Sequence, residues 1–287
     1  MNHTTFVLVH GAWQGSWSYS PLSRQLTAAG HQVLRIDLPG HGLDARFIPA
    51  YHTGGGERAA ALQTEKSPVA AVGLQAYVDA IGETLEAAHR TRAGSVVLVA
   101  HSMAGIPATA AIEAHPHRVD AIAYLAAFLP PPGMAGGACS ALPQNEGSLI
   151  PSVVIADPAT VGALRLDPLS ANADYAALLK QTFAAEVDEG QWSAVRHLMT
   201  PDTPIQPLAT PLAYTAERWG SKRRLYVRCT HDYAVRPALQ DFFIEQADTL
   251  APGNSFKTVS MASGHLPFLS KTQEVAEALI AFGTGNS

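Results

Sequence analysis

Three residues far apart in the chain have the types that nucleophilic catalysis at neutral pH requires. They are Ser102, Asp232 and His265, in that order along the sequence. A serine hydroxyl attacks a carbonyl only when a base removes its proton, and the base needs a third group that orients it. The sequence therefore predicts a triad in which Ser102 is the nucleophile, His265 the base and Asp232 the orienting carboxylate.

The residues around Ser102 indicate a sharp turn from a strand into a helix. The apolar run Val96–Val99 leads into Ala100-His-Ser-Met-Ala104, and Gly105 follows. A strand–serine–helix elbow needs small residues two positions on either side of the serine, where glycines are usual. Alanine is the next smallest residue, so we interpret Ala100 and Ala104 as a tolerated variant. The alternative is an ordinary helix N-cap serine.

Asp232 and His265 each follow a predicted strand, at the sheet edge where open α/β sheets place their sites. Asp241 and Asp248 are rivals for the orienting role, but they lie within or after a predicted helix. His231, beside Asp232, is expected to be a bystander. The alternative for His265 is a loop histidine bonded only to backbone, and for Asp232 a solvated carboxylate.

Two backbone N–H groups are expected to stabilise the developing oxyanion. One is predicted at Met103, directly after the serine, and the other at Ala12 in the loop that follows the first strand. Gly11 allows a tight path there. His10 is predicted to fix this loop, and His101 is predicted to pack inside, since it cannot face the substrate if Ser102 does.

Strands and helices alternate along most of the chain, which predicts a doubly wound, mostly parallel α/β sheet. The alternation stops for a segment rich in proline, glycine and alanine, with helical stretches at 159–164, 175–183 and 191–198. We interpret 130–218 as an inserted helical cap, and 1–129 with 219–287 as the core. Residues 43–68 are weakly patterned and predict a long loop that is either a lid element or mobile.

Composition excludes several classes of function. The 287 residues carry a net charge of −5 without a basic block, which argues against nucleic acid or an anionic membrane as partner. No apolar run reaches transmembrane length and no signal peptide is recognisable, which predicts a cytoplasmic protein. Cys139 and Cys229 are expected to be two buried thiols. The histidines lack metal-ligand spacing, so neither a metal nor a cofactor is predicted.

Six segments resemble the α/β-hydrolase fold superfamily, and more narrowly its plant methylesterase and hydroxynitrile lyase branch with bacterial esterase relatives. They are Phe6–Trp17, Asp37–Gly42, Ala100–Gly105, Tyr124–Pro130, Tyr226–Asp232 and Gly264–Leu269. The resemblance implies the same triad and the same oxyanion hole at Ala12 and Met103. It also implies cleavage of a small to mid-sized carboxylic ester or thioester through an acyl-enzyme.

Two positions separate the branches. The lyases have a threonine where this chain has Gly11, and a lysine where it has Leu266. That lysine stabilises the cyanide leaving group, which leucine cannot do, so the lyase interpretation is the weaker one.

Other functions on the same fold stay open. His265 and Asp232 could act as a base dyad in a cofactor-independent lyase, cyclase or oxygenase, and a ligand-binding receptor would show slow turnover. Dehalogenases and epoxide hydrolases of this fold usually have an aspartate at the elbow, so Ser102 argues against both functions.

A homodimer is compatible with the sequence. The predicted pocket residues are Gly11, Trp13, Trp17, Phe128, Leu142, Trp192, Leu266 and Phe268.

Overall fold

Six parallel strands form one sheet at the centre of the protein. The computed structural model describes residues 3–53, 55–92 and 94–285. In spatial order the strands are β2 (Gln32–Ile36), β1 (Thr4–Val9), β3 (Ser95–His101), β4 (Ala121–Leu125), β7 (Arg223–Cys229) and β8 (Lys257–Met261). Every neighbouring pair is parallel, with Val9 opposite Ala100 and His101 opposite Leu125. This confirms the predicted doubly wound sheet.

The middle strands are apolar because both faces of the sheet are covered. All residues of β1 and β4 are buried, and only Ser95 of β3 is not. The two edge strands, β2 and β8, are mostly half-buried or exposed. Central strands made almost wholly of apolar residues, with edge strands that combine polar and apolar residues, are typical of a parallel sheet between two layers of helices.

Helices flank this sheet. The core helices are α1 (Ser20–Ala28), α3 (Leu74–Thr91), α4 (Gly105–Ala114), α11 (Pro237–Leu250), α12 (Pro267–Ser270) and α13 (Thr272–Thr284). They pack in pairs, α1 against α13 and α3 against α4. Within the described ranges, no helix combines the length and the apolar character needed to cross a membrane.

The predicted cap segment contains short helices and a two-stranded antiparallel sheet. The helices are α5 (Gly136–Ser140), α6 (Ile150–Val153), α7 (Pro158–Val161), α8 (Ala173–Ala184), α9 (Glu189–Leu198) and α10 (Gln206–Ala209); the strands are β5 (Ala163–Arg165) and β6 (Asp202–Pro204). The prediction of a helix over 159–164 is wrong at its C-terminal end, because α7 already ends at Val161. Gly162, with a φ of 76°, terminates α7 and the chain enters β5. The boundaries at 130 and 218 stay predictions.

The weakly patterned segment 43–68 is not a structureless loop. It contains a 3-10 turn and a ten-residue helix, α2 (Gly55–Thr64). Leu62 packs with Ile48 and Tyr51 in a small apolar cluster separate from the main core. The helix was missed because glycines at its start oppose helix formation and only Leu62 of its residues is buried.

Candidate active site

Ser102 lies in a strained turn between β3 and α4. Its φ is 53°, in the left-handed region that a serine adopts at an energetic cost. The Phe128 N–H donates to the Ser102 carbonyl oxygen over 2.9 Å and holds the turn against the end of β4. A Cβ at Gly105 would overlap the Phe128 carbonyl oxygen, so the helix can approach β4 this closely only with glycine there.

Ser102, His265 and Asp232 are joined by two hydrogen bonds. His265 Nε2 lies 2.8 Å from Ser102 Oγ, and His265 Nδ1 lies 2.8 Å from Asp232 Oδ2. A carboxylate accepts, so Nδ1 carries the proton and Nε2 is free to accept from the serine hydroxyl. Each of the three residues is more than nine-tenths buried.

Asp232 is held by backbone donors as well as by His265. Its Oδ1 accepts from the N–H groups of Ala234 and Val235, over 2.7 and 2.9 Å, in the turn after β7. The two rival aspartates are engaged elsewhere: Asp241 pairs with Arg228 at the surface, and Asp248 accepts from the Phe256 N–H. Asp232 is thus the carboxylate that the structure brings to His265.

The loop after β1 lies against the elbow. Ala12 and Met103, the two predicted oxyanion-hole residues, line the same cavity as Ser102 and His265. A Cβ at Gly11 would come within 2.7 Å of His101 Nδ1 and 2.8 Å of Ser102 Cβ. Only glycine fits this close approach. The role of the two N–H groups as oxyanion donors stays a prediction.

Two buried histidines, His10 and His101, fix the backbone around Ser102 and His265. His10 Nδ1 donates to the Gly11 carbonyl and its Nε2 accepts from the Leu38 N–H, and burial lowers the pKa of His10 to about 4. His101 Nε2 donates to the His265 carbonyl over 2.8 Å, and burial lowers its pKa well below the usual value. Both side chains are therefore neutral and structural, in the way the sequence indicated.

A largely apolar cavity opens beside Ser102. It contains about 610 Å³ of space free of protein atoms, counting the part open to solvent. Its lining also includes Trp13, Gln14, Phe128, Ser140, Asn145, Ser148, Ile150, Pro151, Leu164, Phe183, Leu208, Ala234 and Val235. A mostly apolar lining with a few polar groups is typical of sites that bind small molecules.

Only Trp13 and Phe128 of the predicted pocket residues line this cavity; Gly11, Trp17, Leu142, Trp192, Leu266 and Phe268 do not. Phe268 packs edge-on against His101 and also contacts Tyr19, so it belongs to the core. Trp192 lies on a separate surface groove with Lys180 and Arg196. Leu266 and Phe268 are close to His265 in sequence, and Leu142 and Trp192 belong to the predicted cap, yet none of the four faces the cavity. Position along the chain does not tell which way a side chain points.

Sequence reasoning missed most of the lining. Phe183 lies on α8, and its ring is 5.5 Å from that of Trp13 and 6.0 Å from that of His265. Gln14 is buried, and its Oε1 has no hydrogen-bond partner. Gln14 lies in Phe6–Trp17, one of the segments that carry the family resemblance, which is a signal that could have included it. The cap residues carry no comparable signal.

Among the described residues, no three His, Cys, Asp or Glu side chains are grouped so that they could hold a metal ion. Cys139 and Cys229 are free, buried thiols, and burial raises the pKa of Cys139 to about 12. Neither thiol lines the cavity beside Ser102.

Comparison with known proteins identifies the family. Residues 6–278 match the Alpha/beta hydrolase family. The chain belongs to this family. Methylesterase 7 of Arabidopsis thaliana is 25% identical over 293 residues, covering 97% of this chain and 96% of the relative. Salicylic acid-binding protein 2 of Nicotiana tabacum is 26% identical over 277 residues, covering 96% and 95%.

A solved structure supports the fold of this α/β hydrolase over its whole length. The pyrethroid hydrolase from Sphingobium faniae JZ-2 superposes with a TM-score of 0.74 at 20% identity, covering 98% of each chain. At that identity the similarity concerns the fold. The predicted resemblance to the α/β-hydrolase superfamily and to plant methylesterases is confirmed.

Proposed function

We propose that this α/β hydrolase is a serine esterase that cleaves a carboxylic ester through an acyl-enzyme formed on Ser102. The observation that carries the proposal is the hydrogen-bonded chain from Asp232 through His265 to Ser102, opening on an apolar cavity. The relatives support it, since Methylesterase 7, with which this chain shares 25% identity over 293 residues, is named as an esterase.

In the first half-reaction, Ser102 Oγ attacks the ester carbonyl carbon while His265 Nε2 accepts the hydroxyl proton. The carbonyl oxygen becomes an alkoxide, to which the N–H groups of Ala12 and Met103 donate. The imidazolium of His265, stabilised by Asp232, then gives its proton to the leaving alkoxide. The bond between carbonyl carbon and leaving oxygen breaks, and the alcohol departs.

In the second half-reaction, water takes the place of the alcohol. His265 Nε2 accepts a proton from water as the water oxygen attacks the acyl carbon. When the tetrahedral intermediate collapses, the bond from the acyl carbon to Ser102 Oγ breaks and His265 returns the proton to the serine. The carboxylic acid leaves and the free enzyme is restored.

The cavity favours small to mid-sized apolar esters. Its apolar walls include Trp13, Phe128 and Phe183. Apart from Ser102 and His265, its polar side chains are few: Gln14 in the loop after β1, and Ser140, Asn145 and Ser148 in the predicted cap. We therefore expect alkyl or aromatic ester groups to be accepted, and thioesters to be open to the same chemistry. Leu266, without a charge, argues against cyanide-releasing lyase chemistry.

The test is covalent labelling of the intact protein with a fluorophosphonate, followed by mass spectrometry. We expect one adduct on the wild type and none on Ser102→Ala or His265→Ala, with p-nitrophenyl ester hydrolysis lost in parallel. Ser193→Ala, at an exposed serine of α9 outside the cavity lining, is the matched control and should label like the wild type. Two outcomes would contradict the proposal. Ester hydrolysis by Ser102→Ala at the wild-type rate would favour a base dyad of His265 and Asp232. Tight ligand binding with a single turnover would favour a receptor.

A cytoplasmic location and a homodimer remain predictions. The two buried thiols without a disulfide are compatible with a reducing compartment.

A further inference from the structure

Trp13, the residue after the predicted oxyanion donor Ala12, is held entirely by the cap. Its backbone N–H donates to Thr203 Oγ1 over 2.8 Å, and its indole N–H donates to the Leu164 carbonyl over 2.8 Å. Its carbonyl oxygen accepts from the Thr200 N–H over 3.0 Å. All three polar groups of Trp13 thus bond to cap residues.

The backbone of Trp13 needs such support, because its φ is 60°. A bulky residue adopts the left-handed region only where its surroundings enforce it. Leu164 of β5 and Thr203 of β6 are direct partners in the two-stranded sheet, so two bonds to Trp13 come from one cross-strand pair. This small sheet therefore holds the strained residue in place.

Thr203 is itself fixed from its other side. It is fully buried, and His41 Nε2 lies 3.1 Å from its hydroxyl oxygen. Burial lowers the pKa of His41 to about 3, so at neutral pH the imidazole is uncharged and one of its two nitrogens carries no proton. In the tautomer with Nε2 unprotonated, Nε2 accepts a hydrogen bond from the Thr203 hydroxyl. The Thr203 oxygen then accepts from the Trp13 N–H.

We propose that Thr203 is a positioning residue for catalysis: its hydroxyl holds the Ala12–Trp13 peptide so that the Ala12 N–H faces the oxyanion. The inference rests on the proposed esterase function. The planar peptide between Ala12 and Trp13 transmits the restraint, because fixing the N–H of Trp13 limits the rotation of Ala12. A cap strand would then be part of the catalytic apparatus as well as a cover for the substrate.

The test is Thr203→Val, which keeps the branched shape and removes the hydroxyl. We expect kcat for a p-nitrophenyl ester to fall by about 10- to 100-fold while KM changes by less than about threefold. A trifluoromethyl ketone, whose adduct with Ser102 carries the oxyanion, should lose affinity by the same factor as kcat/KM falls. Thr203→Ser keeps a hydroxyl at this position and should retain most of the wild-type kcat.

Thr182→Val is the matched control. Thr182 is also a buried cap threonine, but its hydroxyl donates to Leu178 within α8. We expect wild-type kcat from it. Should Thr203→Val fail to fold, Thr203→Cys supplies a weaker acceptor and should give an intermediate kcat.

The positioning role is overturned if folded Thr203→Val keeps the wild-type kcat, or if Thr203→Cys does so where the valine variant does not fold. It is also overturned if kcat falls as far in Thr203→Ser as in Thr203→Val. The two proposals fail separately. Hydrolysis by Ser102→Ala at the wild-type rate overturns the esterase, whereas full activity of Thr203→Val overturns only the role of Thr203.

Discussion

Asp232 Oδ2 and His265 Nδ1 lie 2.8 Å apart, although 33 residues separate them in the chain. The contact forms because β7 and β8 are parallel neighbours, so that the turns after both strands meet at one edge of the sheet. Asp232 also accepts two backbone N–H bonds, which fix its carboxylate before any substrate arrives. The geometry of the base is thus set by the fold rather than by the ligand.

Asp232→Asn should abolish most of the activity without unfolding the protein. An amide N–H directed at His265 Nδ1 favours the tautomer with the proton on Nε2, which cannot accept the proton of Ser102. We expect kcat for a p-nitrophenyl ester to fall by roughly 10³- to 10⁴-fold, the scale seen for triads in general. Asp241→Asn, which changes a surface aspartate paired with Arg228, should retain the wild-type kcat. The opposite ranking of the two variants would remove Asp232 from the triad.

Gly11→Ala tests the close approach between the loop after β1 and the elbow. The new Cβ would collide with His101 Nδ1 and Ser102 Cβ, both in buried residues. We expect a loss of about 1–3 kcal/mol in the free energy of unfolding, measured in urea, because the loop must shift. Ester hydrolysis should fall by at least about 100-fold, since the shift moves Ala12.

Gly56→Ala is the control for this change. A Cβ at Gly56 meets nothing within 4 Å, and the residue lies in α2. Alanine there should be neutral or stabilise by up to about 1 kcal/mol. A Gly11→Ala protein with wild-type stability and kcat would show that the loop can move away from the elbow without consequence.

Local pattern was sufficient to predict which three residues come together, because Ser102, Asp232 and His265 lie at strand ends. Ser102 follows a buried apolar run, and Asp232 and His265 each follow a strand in sequence. The contacts of Trp13 were beyond prediction, since Thr203 is 190 residues away and no periodicity relates them. Phe268 failed as a pocket residue for a related reason: its direction depends on packing against Tyr19 and His101, which sequence spacing does not encode.

Acid should destabilise the fold through its buried histidines. Burial lowers the pKa of His10 to about 4 and that of His41 to about 3, whereas an unfolded chain titrates near 6.5. Below about pH 6.5 the unfolded state binds protons that the folded state excludes, so stability present at pH 7 is lost as the pH falls toward 4 and 3. Each pKa unit corresponds to about 1.4 kcal/mol.

The measurement is the free energy of unfolding in urea between pH 7 and pH 4. The slope should be shallower in His41→Gln, because that variant removes one of the buried histidines whose pKa is lowered. His117→Gln, at an exposed position, should keep the wild-type slope. Equal slopes in all three proteins would show that His41 accepts a proton readily in the folded state.

The ion pair between Arg165 and Asp202 should be the cap's most sensitive contact. Arg165 Nε and Nη2 donate to the two Asp202 oxygens over 2.6 and 2.8 Å, and both side chains are almost fully buried. Arg165 Nη1 also donates to the carbonyls of Leu62 and Glu65, at the end of α2. One guanidinium thus joins β5, β6 and the 43–68 segment.

Arg165→Met should lower the free energy of unfolding by about 3–5 kcal/mol, since it leaves the Asp202 carboxylate buried and unpaired. The double variant Arg165→Met/Asp202→Leu should recover part of the loss, because no buried charge remains. Arg92→Met breaks the half-exposed pair with Asp120 and should cost no more than about 1 kcal/mol. A double variant less stable than Arg165→Met would mean that Asp202 stabilises the two-stranded sheet through bonds other than those to Arg165.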